Sequence, residues 1–166
     1  MEEKKTGQSI EALQEQVSAA AKNYFKSGLN CGEAVVKAFL DLGLTDYPPE
    51  IVALSTGFGG GIGMTKNTCG AVLGGVMVIG AMKGRKDPLE RETLSERVSQ
   101  LQTEIYPIFR TFVSTFTDQY GSVVCKELSD PYGSFEGKER KRNCMQMIMQ
   151  AAAIATRLAL EPEEAL

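Results

Sequence analysis

The chain has 166 residues, 43% hydrophobic and 23% charged, with a net charge of −3 and no histidine. This balance suits one soluble globular domain with a real core, gives no basis for a nucleic-acid partner, and removes histidine from every acid–base or metal-ligand scheme. The charged opening, residues 1–5, lacks the apolar core of a signal peptide, and the longest apolar run, residues 71–82, is too short and glycine-rich to cross a bilayer. A cytoplasmic location without a membrane partner is therefore expected.

Ser9 reads as an N-cap, and Ile10, Leu13, Val17, Ala20 and Tyr24 follow at three- and four-residue steps, one apolar face of a helix that Gly28 ends. Asn30 opens a second helix, with Glu33 as capping-box partner and Ala34, Val35, Ala38, Phe39 and Leu42 as its stripe before Gly43. Pro48 and Pro49 open a short third helix through Ile51 and Leu54. The run from Gly57 to Gly63 then breaks the pattern as a glycine-rich loop, and Cys69 to about Met82 reads as the central helix. A long helix from about Pro88 carries Leu94, Val98, Leu101, Ile105, Ile108, Phe112 and Phe116, with Pro107 expected to kink or split it and Gly121 to end it. A helical turn around Ser122 to Leu128, a loop from Asp130 to Gly137 and a final helix from Cys144 to about Leu160 complete the chain. No strand alternation and no repeat is present. The expected fold is all-α, a single-domain bundle of about five main helices over residues 1–166.

Chemistry rests on four cysteines. Asn30, Thr68 and Asn143 directly precede Cys31, Cys69 and Cys144, and Ser122 stands shortly before Cys125. Cap residues at these positions predict four thiols at helix starts, where free N–H groups and the dipole favour the thiolate. A lone buried cysteine is ordinarily a small hydrophobe, but four at helix starts are harder to dismiss. No pair forms Cys-x-x-Cys. If all four converge, they suit an iron–sulfur cluster or a tetrahedral zinc; if they converge in pairs, they suit redox disulfides, with three possible connectivities. Absence of histidine removes haem attachment of the c type, mixed zinc sites and Ser/His/Asp triads, so a hydrolase is the least favoured class.

The glycine run does not fit a phosphate-loop spacing. Gly59, Gly60 and Gly61 read instead as backbone passing close to a neighbour, with N–H groups free to donate to sulfur or an anion. Gly70 stands beside a sulfur and could leave room for a ligand, whereas Gly74, Gly75 and Gly80 read as tight helix contacts. The run Lys138 to Arg142 reads as solvated surface whose charge would favour a thiolate at Cys144. Met145, Met147 and Met149 read as core filler or surface rather than copper ligands.

The order Gly28-Leu29-Asn30-Cys31, Ser55-Thr56-Gly57-Phe58-Gly59-Gly60-Gly61, Cys69-Gly70-Ala71-x-x-Gly74, Gly121-Ser122-x-x-Cys125 and then Cys144 resembles the C_GCAxxG_C_C family of redox-active proteins, over roughly residues 20–160. It is also similar to the non-haem part of split-Soret cytochromes, helical proteins associated with an iron–sulfur cluster. The chain departs from the family label in having Thr68 before the second cysteine and Gly70 after it. The resemblance implies that Cys31, Cys69, Cys125 and Cys144 act as one set, ligating a cluster or forming reversible disulfides in electron transfer with an unidentified redox partner. A structural zinc module and a helical interaction protein are the alternatives, and apolar helix faces leave a homodimer open.

Overall fold

The computed structural model describes residues 8–162; the charged segment 1–5 lies outside them. Helix α1 (Ile10–Lys26) starts where the Ser9 hydroxyl accepts from the Ala12 amide, and Gly28 follows its end at a φ of +99°. Helix α2 (Cys31–Asp41) carries the expected capping box: the Asn30 side-chain oxygen accepts from the Gly32 and Glu33 amides, and the Asn30 amide donates to the Glu33 carboxylate at 3.0 Å. A 3-10 segment (Pro49–Phe58) leads into the glycine-rich loop. Then come α3 (Gly70–Lys83), α4 (Leu94–Gln100), a π-helical turn (Leu101–Ile105), α5 (Tyr106–Tyr120), α6 (Cys125–Ser129), a 3-10 turn (Asp130–Tyr132) and α7 (Lys138–Leu160). Among the described residues the only β-type pairing is one antiparallel bridge, Thr68 to Val124. No helix there is long and apolar enough to cross a membrane.

Helices α1, α2, α3 and α7 close a ring in which each packs on the next, and α5 lies against α3 and α7. The apolar residues of α3 go round most of its circumference, which requires neighbours on several sides. Phe39, Phe112, Phe116, Ile79 and Ile148 fill the shared core. Glycine sets how close the neighbours come. A Cβ on Gly74 would lie 3.0 Å from the Gly32 carbonyl oxygen, and one on Gly75 would lie 2.2 Å from Phe112 Cζ. Gly80 departs from the expected tight contact, since nothing stands within 4 Å of where its Cβ would be.

Two helix starts differ from the sequence reading. The long helix begins at Leu94, not near Pro88, because Thr93 and Glu96 form a capping box there. Pro107 sits in the first turn of α5, but that turn continues a helical run from Leu94, so its missing N–H leaves a gap in the ladder, and the turn before it winds as π-helix. The apolar stripe of this region divides: Ile108, Phe112 and Phe116 are buried, while α4 buries nothing and leaves Leu94 71% exposed. The final helix begins at Lys138, so Cys144 lies inside it.

The contrast between two α3 glycines is testable by urea denaturation. Gly75→Ala overpacks the core against Phe112 and should cost about 1–3 kcal/mol. Gly80→Ala meets open space and should be neutral or stabilising by up to about 1 kcal/mol through helix propensity.

Candidate cysteine site

The four cysteines come from four different segments. Cys31 is the first residue of α2, Cys69 is the N-cap of α3, and Cys125 is the first residue of α6. Cys144 is not at a helix start. Asn143 caps nothing: its side-chain amide donates to the Leu128 carbonyl at 2.9 Å and ties α7 to α6. Ser122 likewise does not cap α6, whose cap position is Val124; its hydroxyl accepts from the Val124 amide in the preceding turn. Thr68 falls one residue ahead of its expected cap position and serves the bridge to Val124 instead. All four cysteines nevertheless line one closed cavity, together with Leu128, Ser129, Arg140 and Met147. The cavity leaves about 10 Å³ for the centre of a water molecule, about the minimum for one. All four are free thiols; Cys69, Cys125 and Cys144 are buried and Cys31 is partly exposed.

The glycine-rich loop brings two of these segments together. Gly60, Gly61, Ile62, Gly63 and Met64 run consecutively at φ between +57° and +75°, and Lys66 follows at +61°. A left-handed turn costs roughly 1–2 kcal/mol for each residue that is not glycine, and Ile62 is branched at Cβ. The turn is held by its own backbone: the amides of Met64, Lys66 and Asn67 donate to the carbonyls of Gly59, Gly60 and Gly61 at 2.9–3.0 Å. The chain leaving it is clamped to α6. The Cys69 amide donates to the Val123 carbonyl at 2.8 Å, Cys125 to Asn67 at 2.6 Å, and Lys126 to Lys66 at 3.0 Å. A Cβ on Gly61 would lie 2.6 Å from Cys125 Cβ, and one on Gly70 would lie 2.5 Å from the Phe58 carbonyl oxygen and 3.3 Å from Cys31 Sγ. Gly59 instead packs on the Asn30 cap, its Cβ position 2.9 Å from Asn30 Cβ.

Cys31, Cys69 and Cys144 are not activated in the way helix starts suggest. Burial pushes Cys69 up to about 12 and Cys144 up to about 11, and it raises Cys31 as well. Neighbouring thiols add to each shift. The amides of Ala71 and Val72 pull Cys69 down, and that of Gly60 pulls Cys31 down, but neither reverses the effect of burial. Arg140 opposes the shift at Cys144 and Cys31.

Arg140 departs most from expectation. It belongs to the basic run read as solvated surface, yet it is only 6% exposed. Its guanidinium stacks 3.8 Å over the Phe135 ring and donates to the Phe135 carbonyl at 3.0 Å. It forms no ion pair among the described residues. A buried cation without a carboxylate in contact is costly; Glu136 feels Arg140 from exposed surface, and within the cavity the groups that could carry its counter-charge are the sulfurs. A sequence signal existed: Arg140 stands four residues before Cys144, on the same helix face. As placed, no group of three or more Cys, Asp or Glu among the described residues could hold a single metal ion.

The helical bundle gathers four cysteines and a buried arginine at one cavity. The chain belongs to the family described as "Putative redox-active protein (C_GCAxxG_C_C)", which matches residues 29–158 and so includes all four cysteines. No curated protein and no solved structure matches it.

The raised thiol values set a pH dependence. The folded state keeps the Cys69 and Cys144 protons to higher pH than the unfolded state, so the stability tied to them is whole below about pH 8. It is lost as pH rises toward the folded values of about 11 and 12. The urea midpoint of the reduced, metal-free protein should fall between pH 8 and pH 10 (about the range where unfolded thiols ionise), and Cys69→Ala should flatten that fall.

Proposed function

We propose that this is a redox protein whose Cys31, Cys69, Cys125 and Cys144 hold an iron–sulfur cluster. The observation that carries the reading is the convergence of four thiols on one closed cavity with Arg140, a buried cation without a carboxylate partner among the described residues. The set fits an anionic, sulfur-ligated group in number, softness and charge, though not in a preset spacing for one ion, and the cavity, with room for about one water, would have to open to admit a cluster. Bound there, a cluster would supply one-electron chemistry. The chain's own parts have separate tasks: the Gly60 amide donates toward the Cys31 sulfur, Arg140 offsets negative charge, and Leu128 and Met147 keep water away.

Reversible disulfide exchange is the second reading, favoured by the shared cavity. It is weaker because burial raises Cys31 and lifts Cys144 and Cys69 to about 11 and 12, which leaves these three short of thiolate at neutral pH, and thiolate is the attacking species. Metal ligation, in contrast, deprotonates a thiol outright.

Anaerobic purification and reconstitution, followed by absorption spectroscopy and analysis for iron, zinc and sulfide, test the proposal. The expected outcome is a coloured protein with iron and acid-labile sulfide together, both lost on changing any of the four cysteines to alanine. A colourless, iron-free protein with four titratable thiols overturns it in favour of disulfides, and zinc alone overturns it in favour of a structural site. Arg140→Leu should lower the reduction potential, since the reduced state loses a nearby positive charge.

A further inference from the structure

The cysteine cavity has an outer side. Cys31, Arg140 and Cys144 line both the cavity and an adjoining open groove of about 760 Å³. That volume lies within the range of sites that enclose small molecules. The groove runs between the start of α2, the glycine-rich loop and the start of α7. Its body is apolar, with Phe25, Leu29, Met64, Phe135 and Met145. Its charged lining is entirely cationic: Lys26, Arg140, Lys141 and Arg142, with no Asp or Glu. Lys141 is engaged by Glu136 at 2.6 Å. Glu33, on the first turn of α2, is occupied by the Asn30 amide and the Thr56 hydroxyl. Arg140 is the second, independent observation: a guanidinium more than nine-tenths buried, facing the groove with one side-chain hydrogen bond among the described residues.

We propose that this groove binds a small amphipathic anion, its apolar body against Phe25, Leu29 and Met64 and its acid group on Arg140 and Arg142. A guanidinium next to apolar surface suits a carboxylate, sulfonate or phosphate, because its planar donors pair with acid oxygens and it gives up hydration more readily than an ammonium. A cationic lining in which only Lys141 is paired among the described residues also raises the local concentration of anions. Concavity and the apolar body favour a compact molecule over an acidic protein segment, which the charges alone would also attract. Such a ligand rests against Cys31 and Cys144, so it has direct access to two of the four thiols. The binding proposal holds whether those thiols ligate a cluster or pair as disulfides.

The test uses the full chain, reduced and metal-free, titrated with anilinonaphthalene sulfonate and with the neutral dye phenylnaphthylamine. The sulfonate should bind saturably at one site. Arg140→Leu should weaken it by about tenfold, the loss expected for one charge-assisted contact, and Arg142→Glu should weaken it without touching the buried wall. Neither change should weaken the neutral dye. Met64→Trp, which fills the groove, should abolish both. Displacement of the sulfonate by naphthyl phosphate, or by naphthoate, supports the site and tells which acid group it prefers. Equal binding of the sulfonate to the wild type and both arginine variants overturns the proposal. Displacement by polyglutamate but by neither aromatic anion also overturns it, in favour of an acidic protein segment. Dye binding is read without iron or sulfide, so its outcome is separate from that of the cluster experiment.

Discussion

Three backbone hydrogen bonds, between residues 66–69 and residues 123–126, hold the second and third cysteines side by side. In a chain otherwise made of helices this short clamp does what helix packing alone does not: it joins the start of α3 to the start of α6, two elements far apart in sequence. The Lys66–Asp130 ion pair at 2.6 Å lies at its edge, half exposed, and adds little beside the backbone bonds. The clamp in turn depends on the path by which the loop arrives. Only backbone without a Cβ fits at Gly61, because Cys125 and Asn67 occupy the space.

Two physical effects compete at the thiols, and their sizes decide the outcome. The field at a helix end is worth about 0.3–1 kcal/mol, less than one pKa unit, whereas burial moves a pKa by up to about 3–5 units. The start of α3 therefore cannot keep Cys69 ionised once its sulfur is enclosed. Arg140 acts in the opposite sense and from within the enclosure, where a charge is least screened. The same enclosure makes the arginine costly, so the thiols and the guanidinium offset part of each other's burial only when sulfur carries negative charge.

Much of this was legible in the sequence wherever the cause is local. Ser9, Asn30 with Glu33, and Gly121 marked their helix ends because caps act over one turn. That the cysteines form a set was legible, but whether they meet all together or in pairs was not, and the glycines beside them read as a close approach. Nonlocal causes were not legible. Nothing in the residue types of Ile62, Met64 and Lys66 announces a left-handed turn, which these residues ordinarily avoid. The start of α7 was misplaced because Gly137 precedes it without a side-chain cap and its first turns carry charge rather than an apolar stripe. Arg140 is buried because Phe135 folds over it, a tertiary event. The stripe on α4 was read correctly as a stripe, but periodicity does not say what covers a face, and here Leu94 and Val98 lie open.

The left-handed turn also makes chain length a constraint in its own right. Surface loops usually accept insertions, since longer loops cost little extra entropy. Between Gly57 and Asn67, however, successive amides reach back to successive carbonyls, Gly63 to Gly57, Met64 to Gly59, Lys66 to Gly60 and Asn67 to Gly61. One added or deleted residue would put that ladder out of step and rotate the chain entering α3. The segment therefore acts as a spacer of fixed length between the 3-10 segment and α3, unlike the loop before α7, which carries no such ladder.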